Sequence, residues 1–376
     1  MKILLGLLGL SFLVFFHELG HFLIARAMGV TVEAFSIGMG PVLLHHKWGA
    51  TDYRISLIPI GGYCSMKGEK DYQNALETKQ KEIRGDKDSF YGVHPFKRLL
   101  IAFAGPFFNV LFAFIAFSVI AMMGYTYTTA GNKVIMVTDT EEYKDSPSPA
   151  AEAGMKSGDI IVSIDGEEVN DFTEIKQLIT LNGGKTVRVK VLRDGEYLEI
   201  DVPVGLDKST GAGFMGITWD KDSIIKKEYG PYSFFPALGQ GAVQAAKTTG
   251  IVVQSVGVLF KGIDLSSAVS GPIRTTVMIG EGISSGFDEG TKIGIMNALE
   301  FLAIISISLF LTNLLPIPVL DGGLILFALI ECITRKKMNP KLLYYIQIVG
   351  LVIIGALLAL AIVVDMSYFI KKISGS

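Results

Sequence analysis

Residues 3–28 read ILLGLLGLSFLVFFHELGHFLIARAM, an apolar run whose only ionisable side chains before Arg26 are His17, Glu18 and His21. A stretch of roughly 18 or more apolar residues is long enough to cross a bilayer as a helix. On such a helix, positions four apart share a face one turn apart, so His17 and His21 project together. Two imidazoles so placed can bind one metal ion, and the Glu18 carboxylate beside the first can reach a water on that ion. Ionisable groups in the middle of a span are costly and are functional by default. The expectation is a polytopic α-helical membrane protein with a metal site in its interior.

Composition agrees. Half of the 376 residues are apolar and 19% are charged, where soluble domains carry about 25%. The net charge of -2 gives no long-range attraction to nucleic acid, and two cysteines, Cys64 and Cys332, do not make a disulfide framework. Three further apolar stretches follow, from Leu99 to Met123, from about Ala298 to Ile333 with interruptions, and from about Leu343 to Val364. Four crossings put both termini on one side. Arg26, Lys97-Arg98 and the group Arg335, Lys336, Lys337 and Lys341 mark two short loops as cytoplasmic. The stretch between about Gly124 and Gly290 is then extracytoplasmic. No small-residue cleavage pattern follows the first run, so it is expected to stay as a span. Phe234 to Ile263 carries Gln240, Gln244, Lys247 and Gln254 and is read as a peripheral amphipathic helix.

Between Val134 and Val204 the pattern changes to that of a small α+β domain. GDIIVSIDGEEV gives two short strands around Asp165-Gly166, Phe172 to Leu181 reads as a helix, and TVRVKVLRDGEYLEIDVPV alternates about Asp194-Gly195. The charge-rich segment from Glu69 to Tyr91 has no periodicity and is read as a solvated loop. The organisation is therefore 1–125 (two spans, HELGH and a cytoplasmic hairpin), 126–220 (the α+β insert), 221–292 (the peripheral helix region) and 293–376 (the last two spans).

A pair of histidines needs a third protein ligand and an open position. His45, His46 and His94 lie in polar or Pro-flanked contexts and are read as surface residues. Asp321, in NLLPIPVLDGG at 313–323, is the better candidate, because Pro316, Pro318, Gly322 and Gly323 break the helix inside an apolar stretch. Irregular backbone at membrane depth is tolerated when it is buried in protein or lines a watery cavity. A carboxylate exposed by that break needs a cation.

HELGH in the first span with NLLPIPVLDGG in the third resembles the paired signature of the site-2 protease family of intramembrane zinc metalloproteases. FSIGMGP at 35–41, ISLIPIGGYCSMKGE at 55–69, KRLLIAFAGPFFN at 97–109 and SGPI at 270–273 resemble its bacterial branch of sigma-factor regulators. SPAAEAGMKSGDIIVSIDG at 148–166 resembles a PDZ domain, as in single-PDZ members. The resemblance implies that His17, His21 and Asp321 hold Zn2+, with Glu18 as general base and then proton donor to the leaving amine. It also implies that Asn313 lies near the substrate, while Asn109 is read as a hydrogen-bonding or packing residue between helices.

In that family a hairpin at about 52–67 dips into the membrane and presents an edge. An unwound substrate could add a strand there, with Ile55 and Leu57 as the binding strand. No complete carboxylate-binding loop precedes SPAAEAG, and Gly213-Phe214-Met215-Gly216 lies after the sheet, so the insert is read as an access filter. The implied activity is zinc-dependent endoproteolysis of single-pass membrane proteins, such as anti-sigma factors or signal-peptide remnants, in the bacterial inner (cytoplasmic) membrane. No nucleic acid is implied. A metal transporter or sensor using the same ligands is the competing reading, and Glu18 separates the two, because transport needs no general base.

Overall fold

The computed structural model describes residues 2–141, 146–207, 211–258 and 271–374. Ser270 of SGPI and the end of the Phe234 to Ile263 stretch lie outside these. The chain forms two compact units, 1–120 with 235–249 and 270–376, and 121–234 with 250–269.

The first unit opens with α1 (Lys2–Ala27), β1 (Val32–Trp48), β2 (Thr51–Met66), α2 (Glu69–Glu77) and α3 (Pro95–Met123). The 26 residues of α1 give a rod of about 39 Å, longer than the hydrocarbon core of a bilayer. Although β1 and β2 are each one continuous element, together they lay down four strand runs. Residues 32–37 pair with 62–66, while Ala34 to Ile37 also face Asp52 to Ile55, the two runs rising together. The outermost run, 42–48, pairs back against 51–56 across the Gly49-Ala50 turn. Gly38 and Gly40, both at φ +83°, supply the left-handed backbone that folds β1 on itself. The hairpin expected between 52–58 and 62–67 is thus replaced. The second of those runs pairs with 32–37, and residues 52–55 of the first are flanked on both sides.

The segment from Glu69 to Tyr91 is not a solvated loop. Residues 69–77 form α2, and Ala75 and Ile83 bury against Leu343 in one apolar cluster. Tyr72 Oη donates to Gln347 Oε1 at 3.1 Å and Lys337 Nζ donates to the Ile83 carbonyl at 3.2 Å. The sparse apolar residues of this segment find partners more than 240 positions away, which no local periodicity can announce.

The second unit contains β3 (Tyr125–Ala130), β4 (Val134–Met136), α4 (Pro149–Glu152), β5 (Ile160–Ile164), β6 (Glu167–Glu168), α5 (Phe172–Leu181), β7 (Thr186–Arg193) and β8 (Glu196–Pro203). β9 (Gly205–Leu206), β10 (Gly213–Phe214), β11 (Ile217–Trp219) and β12 (Ile224–Tyr229) complete it. The four-stranded sheet runs β6-β5-β7-β8. Asp165-Gly166 and Asp194-Gly195 each have positive φ at both residues, which suits two-residue hairpin turns. Helix α5 begins where Asp171 Oδ1 accepts from Glu174 N at 3.0 Å and Glu174 Oε2 accepts from Asn170 N at 2.8 Å. These bonds satisfy amides that the first turn leaves open. The Gly213–Gly216 run, which lies far from SPAAEAG in sequence, borders a cavity of about 840 Å3 together with α5, β3 and β11.

Asp159, 1% exposed, takes both nitrogens of the Arg193 fork at 2.7 Å and the Lys156 amide at 2.9 Å. Burial pushes its carboxyl up, but the hydrogen bonds from Arg193 and Lys156 outweigh that and hold it below the usual range. A depressed folded pKa contributes stability above the unfolded value of about 3.9, and that contribution is lost as pH falls through the folded value. Arg193→Met is expected to destabilise this unit by about 3 kcal/mol at pH 7, with the gap to wild type narrowing once Asp159 is protonated. Hydrogen exchange of β5 and β7 in the full chain measures it; equal protection at pH 7 would contradict the assignment.

The chain continues with α6 (Phe234–Val258), α7 (Pro272–Glu289), α8 (Thr291–Asn313), α9 (Asp321–Thr334) and α10 (Pro340–Ser374). Among the described residues, four helices are long and apolar enough to cross a membrane, namely α1, α3, α8 and residues 340–367 of α10. Helix α6, with its glutamines and lysine, is not among them. The third apolar stretch divides, with α8 ending at Asn313 and the 14-residue α9, about 21 Å long, starting at Asp321. Helix α7 packs on α1 through close approaches, since a Cβ on Gly6 would fall 2.0 Å from the Thr276 carbonyl oxygen. Its N-terminus is held from α10, where buried Asp365 accepts from the amides of Gly271, Ile273 and Arg274 at 2.8, 2.9 and 3.0 Å.

Candidate functional site

His17 and His21, one turn apart on α1, meet Asp321 at the first position of α9. His17 Nε2 lies 3.1 Å from Asp321 Oδ2, His21 Nε2 lies 3.3 Å from Oδ1, and the two Nε2 atoms are 3.2 Å apart. Side-chain exposures of 11, 10 and 14% keep all three largely inside the protein. A zinc ion with tetrahedral ligands at about 2.0–2.1 Å has those ligands about 3.3 Å from one another. The two imidazole nitrogens are spaced as two such ligands would be, each has a carboxylate oxygen of Asp321 at a comparable distance, and imidazole nitrogen and carboxylate oxygen are both zinc donors. The residues fit the ion.

Helix α3 builds the wall behind the imidazoles. Ile101, Gly105 and Asn109 are spaced by four and lie on one stripe of that helix. His21 Nδ1 bonds the Ile101 carbonyl at 2.8 Å, and the Asn109 side-chain amide lies 3.2 Å from His17 Nδ1. A Cβ on Gly105 would sit 2.3 Å from His21 Nε2 and 2.7 Å from His17 Nε2, so only glycine leaves room for the rings. On α1, Gly20 lets the helices close, since its Cβ would fall 2.4 Å from the Ala104 carbonyl oxygen. Ser306 of α8 donates to the Asn109 carbonyl at 2.9 Å.

Asp321 is set by the helix break. Gly322 and Gly323 press the first turn of α9 onto the 314–318 backbone; a Cβ on Gly322 would lie 2.2 Å from the Leu315 carbonyl oxygen. At the other end of α9, buried Glu331 pairs with Arg98 of α3 and accepts from Met338 N at 2.7 Å. Helix α3 thus holds the carriers of all three gathered side chains.

These side chains open into a cavity of about 390 Å3 that is also lined by Glu18, Asn313, Tyr63, Cys64 and Met66. Glu18 makes no hydrogen bond or ion pair within the described residues, which leaves its carboxylate available to a proton.

The family model described as "Peptidase family M50" matches residues 5–357. The chain belongs to that family. It is a zinc metalloprotease of the site-2 protease type. Similar proteins are each named "Putative zinc metalloprotease". One from Treponema pallidum is 31% identical, covering 98% of this chain and 99% of its own. One from Campylobacter jejuni is 33% identical over 99% and 95%. One from Clostridium perfringens is 32% identical over 98% and 99%.

In this metalloprotease the expected ligand set His17, His21 and Asp321 comes together, and Glu18 and Asn313 share its cavity. Ile55 and Leu57 do not line it. Ile55 faces Ile37 on one side and Leu44 on the other, so both edges of its strand are taken and no third strand can add there. Among the described residues, the run 62–66 has a strand partner on one side only, and it borders the site; a Cβ on Gly62 would lie 3.6 Å from Glu18 Cγ. Register made the difference, because the alternation about Tyr53, Ile55 and Leu57 marks a strand but not its neighbours.

His45 bonds Asp52 at 3.2 Å and His94 Nδ1 accepts from Phe96 N at 3.2 Å, both away from the metal centre. Gly105 and the side chain of Asn109 were the functional elements the sequence reading undervalued. The signal was present in the spacing of four between them, but it gains meaning only once α3 is known to face His17 and His21.

Proposed function

We propose that this protease cuts single-pass membrane proteins within or beside the bilayer, with anti-sigma factors and signal-peptide remnants as the substrate type. His17, His21 and Asp321 hold the zinc, Glu18 is the general base, and Asn313 faces the substrate. The observation that carries this reading is the single cavity in which the three zinc donors, an unpartnered Glu18 and a free strand edge meet, on helices apolar enough to cross a membrane. Zinc held by His17, His21 and Asp321 would supply a Lewis acid that polarises a carbonyl and makes water more acidic. Glu18 takes a proton from the attacking water and returns it to the nitrogen of the leaving amine. Asn313 offers an amide to the substrate backbone.

A helical substrate has its carbonyls bonded internally and must be unwound before it is cut. The free edge of 62–66 can take it as an added strand, exchanging helical hydrogen bonds for ladder bonds. The membrane is the bacterial inner membrane, and the unit built around β5 to β8 is a PDZ-like domain on its extracytoplasmic side, as the Arg335-Lys336-Lys337 loop requires under the charge rule. Its groove along α5 then limits which substrates arrive.

The test uses purified full-length protein and a single-pass reporter in liposomes. Wild type is expected to release fragments whose masses place the cut within or next to the span. Successive residues of a strand point their amides to opposite sides, so of Tyr63→Pro and Cys64→Pro one removes an outward donor. That variant is expected to keep zinc and lose cleavage. Normal cleavage by both variants would remove strand addition, and cuts only in soluble segments would remove the intramembrane reading.

A further inference from the structure

We propose that Asn109 is a positioning residue that fixes the tautomer of His17, its side-chain oxygen accepting from His17 Nδ1–H so that Nε2 keeps its lone pair for the metal. The inference rests on the assignment of His17, His21 and Asp321 as zinc ligands and deepens it.

The two imidazoles are anchored alike. Each turns Nε2 toward Asp321 and Nδ1 toward α3, His21 at Ile101 and His17 at Asn109, two turns further along. At Ile101 the partner is a carbonyl, which only accepts, so Nδ1 of His21 carries the proton and its Nε2 is free to ligate. At Asn109 the partner is an amide, which can do either. With Nδ2 toward the ring, the amide donates to Nδ1, the ring proton is forced onto Nε2, and His17 could not bind a metal through the atom that faces Asp321. It also leaves Asn109 Oδ1 buried without a hydrogen-bond partner, on a residue that is 0% exposed.

Rotating the amide by half a turn exchanges the two atoms within the same volume. Either orientation makes one hydrogen bond with His17 Nδ1 and leaves the other amide atom without a partner, so the exchange costs no hydrogen bond, and it makes the environment of His17 match that of His21. Metal-bound histidines characteristically donate their other N–H to an acceptor of this kind, which fixes the tautomer and the ring orientation. The Asn109 main chain is held separately by Ser306 Oγ, so a side-chain substitution leaves that helix contact in place.

The experiment measures zinc affinity of the detergent-purified full chain by competition with a chelator, for wild type, Asn109→Asp and Asn109→Leu. Thermal unfolding is recorded alongside. The leucine, of similar bulk but unable to accept, is expected to weaken zinc binding by about 10–100-fold. The aspartate keeps an acceptor facing Nδ1 and is expected to stay within a few-fold of wild type. In the zinc-free protein with 15N-labelled histidine, the His17 ring is expected to show its proton on Nδ1 in wild type and on a mixture of nitrogens in Asn109→Leu. Unchanged affinity in Asn109→Leu overturns the proposal. Equal weakening in both variants also overturns it, since packing rather than acceptance would then be at work. Failure of the underlying ligand assignment looks different, with His17→Ala binding zinc as tightly as wild type.

Discussion

Glu18→Gln is expected to leave zinc bound at full stoichiometry while cleavage of a single-pass reporter falls by about 10²- to 10⁴-fold. The amide has the size of the carboxylate but cannot take up a proton. Glu18 lines the same cavity as the three gathered donors without belonging to their triangle, so removing its charge leaves the ligands in place. Metal quantification beside fragment analysis reads both halves of the result. Loss of zinc together with activity would make Glu18 a ligand, and undiminished cleavage would remove it as the base.

Gly105→Ala is expected to be as damaging through a single methyl group. That methyl would lie 2.3 Å from His21 Nε2 and 2.7 Å from His17 Nε2. Both rings would have to swing aside, parting two nitrogens that are now 3.2 Å apart and that each lie 3.1 to 3.3 Å from an oxygen of Asp321. We expect zinc affinity to fall by about 100-fold or more, the upper end of what disturbed ligand orientation costs, with the helices still assembled. Gly239→Ala is the control, because a Cβ there meets nothing within 4 Å. Wild-type zinc affinity in Gly105→Ala would show that α3 does not wall the site.

The grouping of His17, His21 and Asp321 was legible in the sequence because its signals are local. The four-residue spacing of His17 and His21 speaks for itself on a helix, and the Pro and Gly residues around Asp321 advertise a break where a break is costly. Helix α5 was equally plain, since Asp171 and Glu174 announce its start. The architecture of residues 32–66 was not, because Gly38 and Gly40 signal a bend without saying which runs become neighbours. Strand alternation put Ile55 and Leu57 on a strand correctly, and only the register revealed that strand as enclosed at Ile55. Segment 69–91 misled for the same reason, since Tyr72, Ala75 and Ile83 bury against residues supplied by α9 and α10. The role of α3 also depended on what it faces.

The donors of the triangle come from opposite ends of the polypeptide, with 304 positions separating His17 from Asp321. At about 5–20 residues per second, a ribosome takes ~15–60 s to travel between them. Throughout that interval the nascent chain carries HELGH without its third donor, and α7 lacks the Asp365 carboxylate that holds its first turn. The three side chains therefore cannot gather until synthesis has passed residue 321.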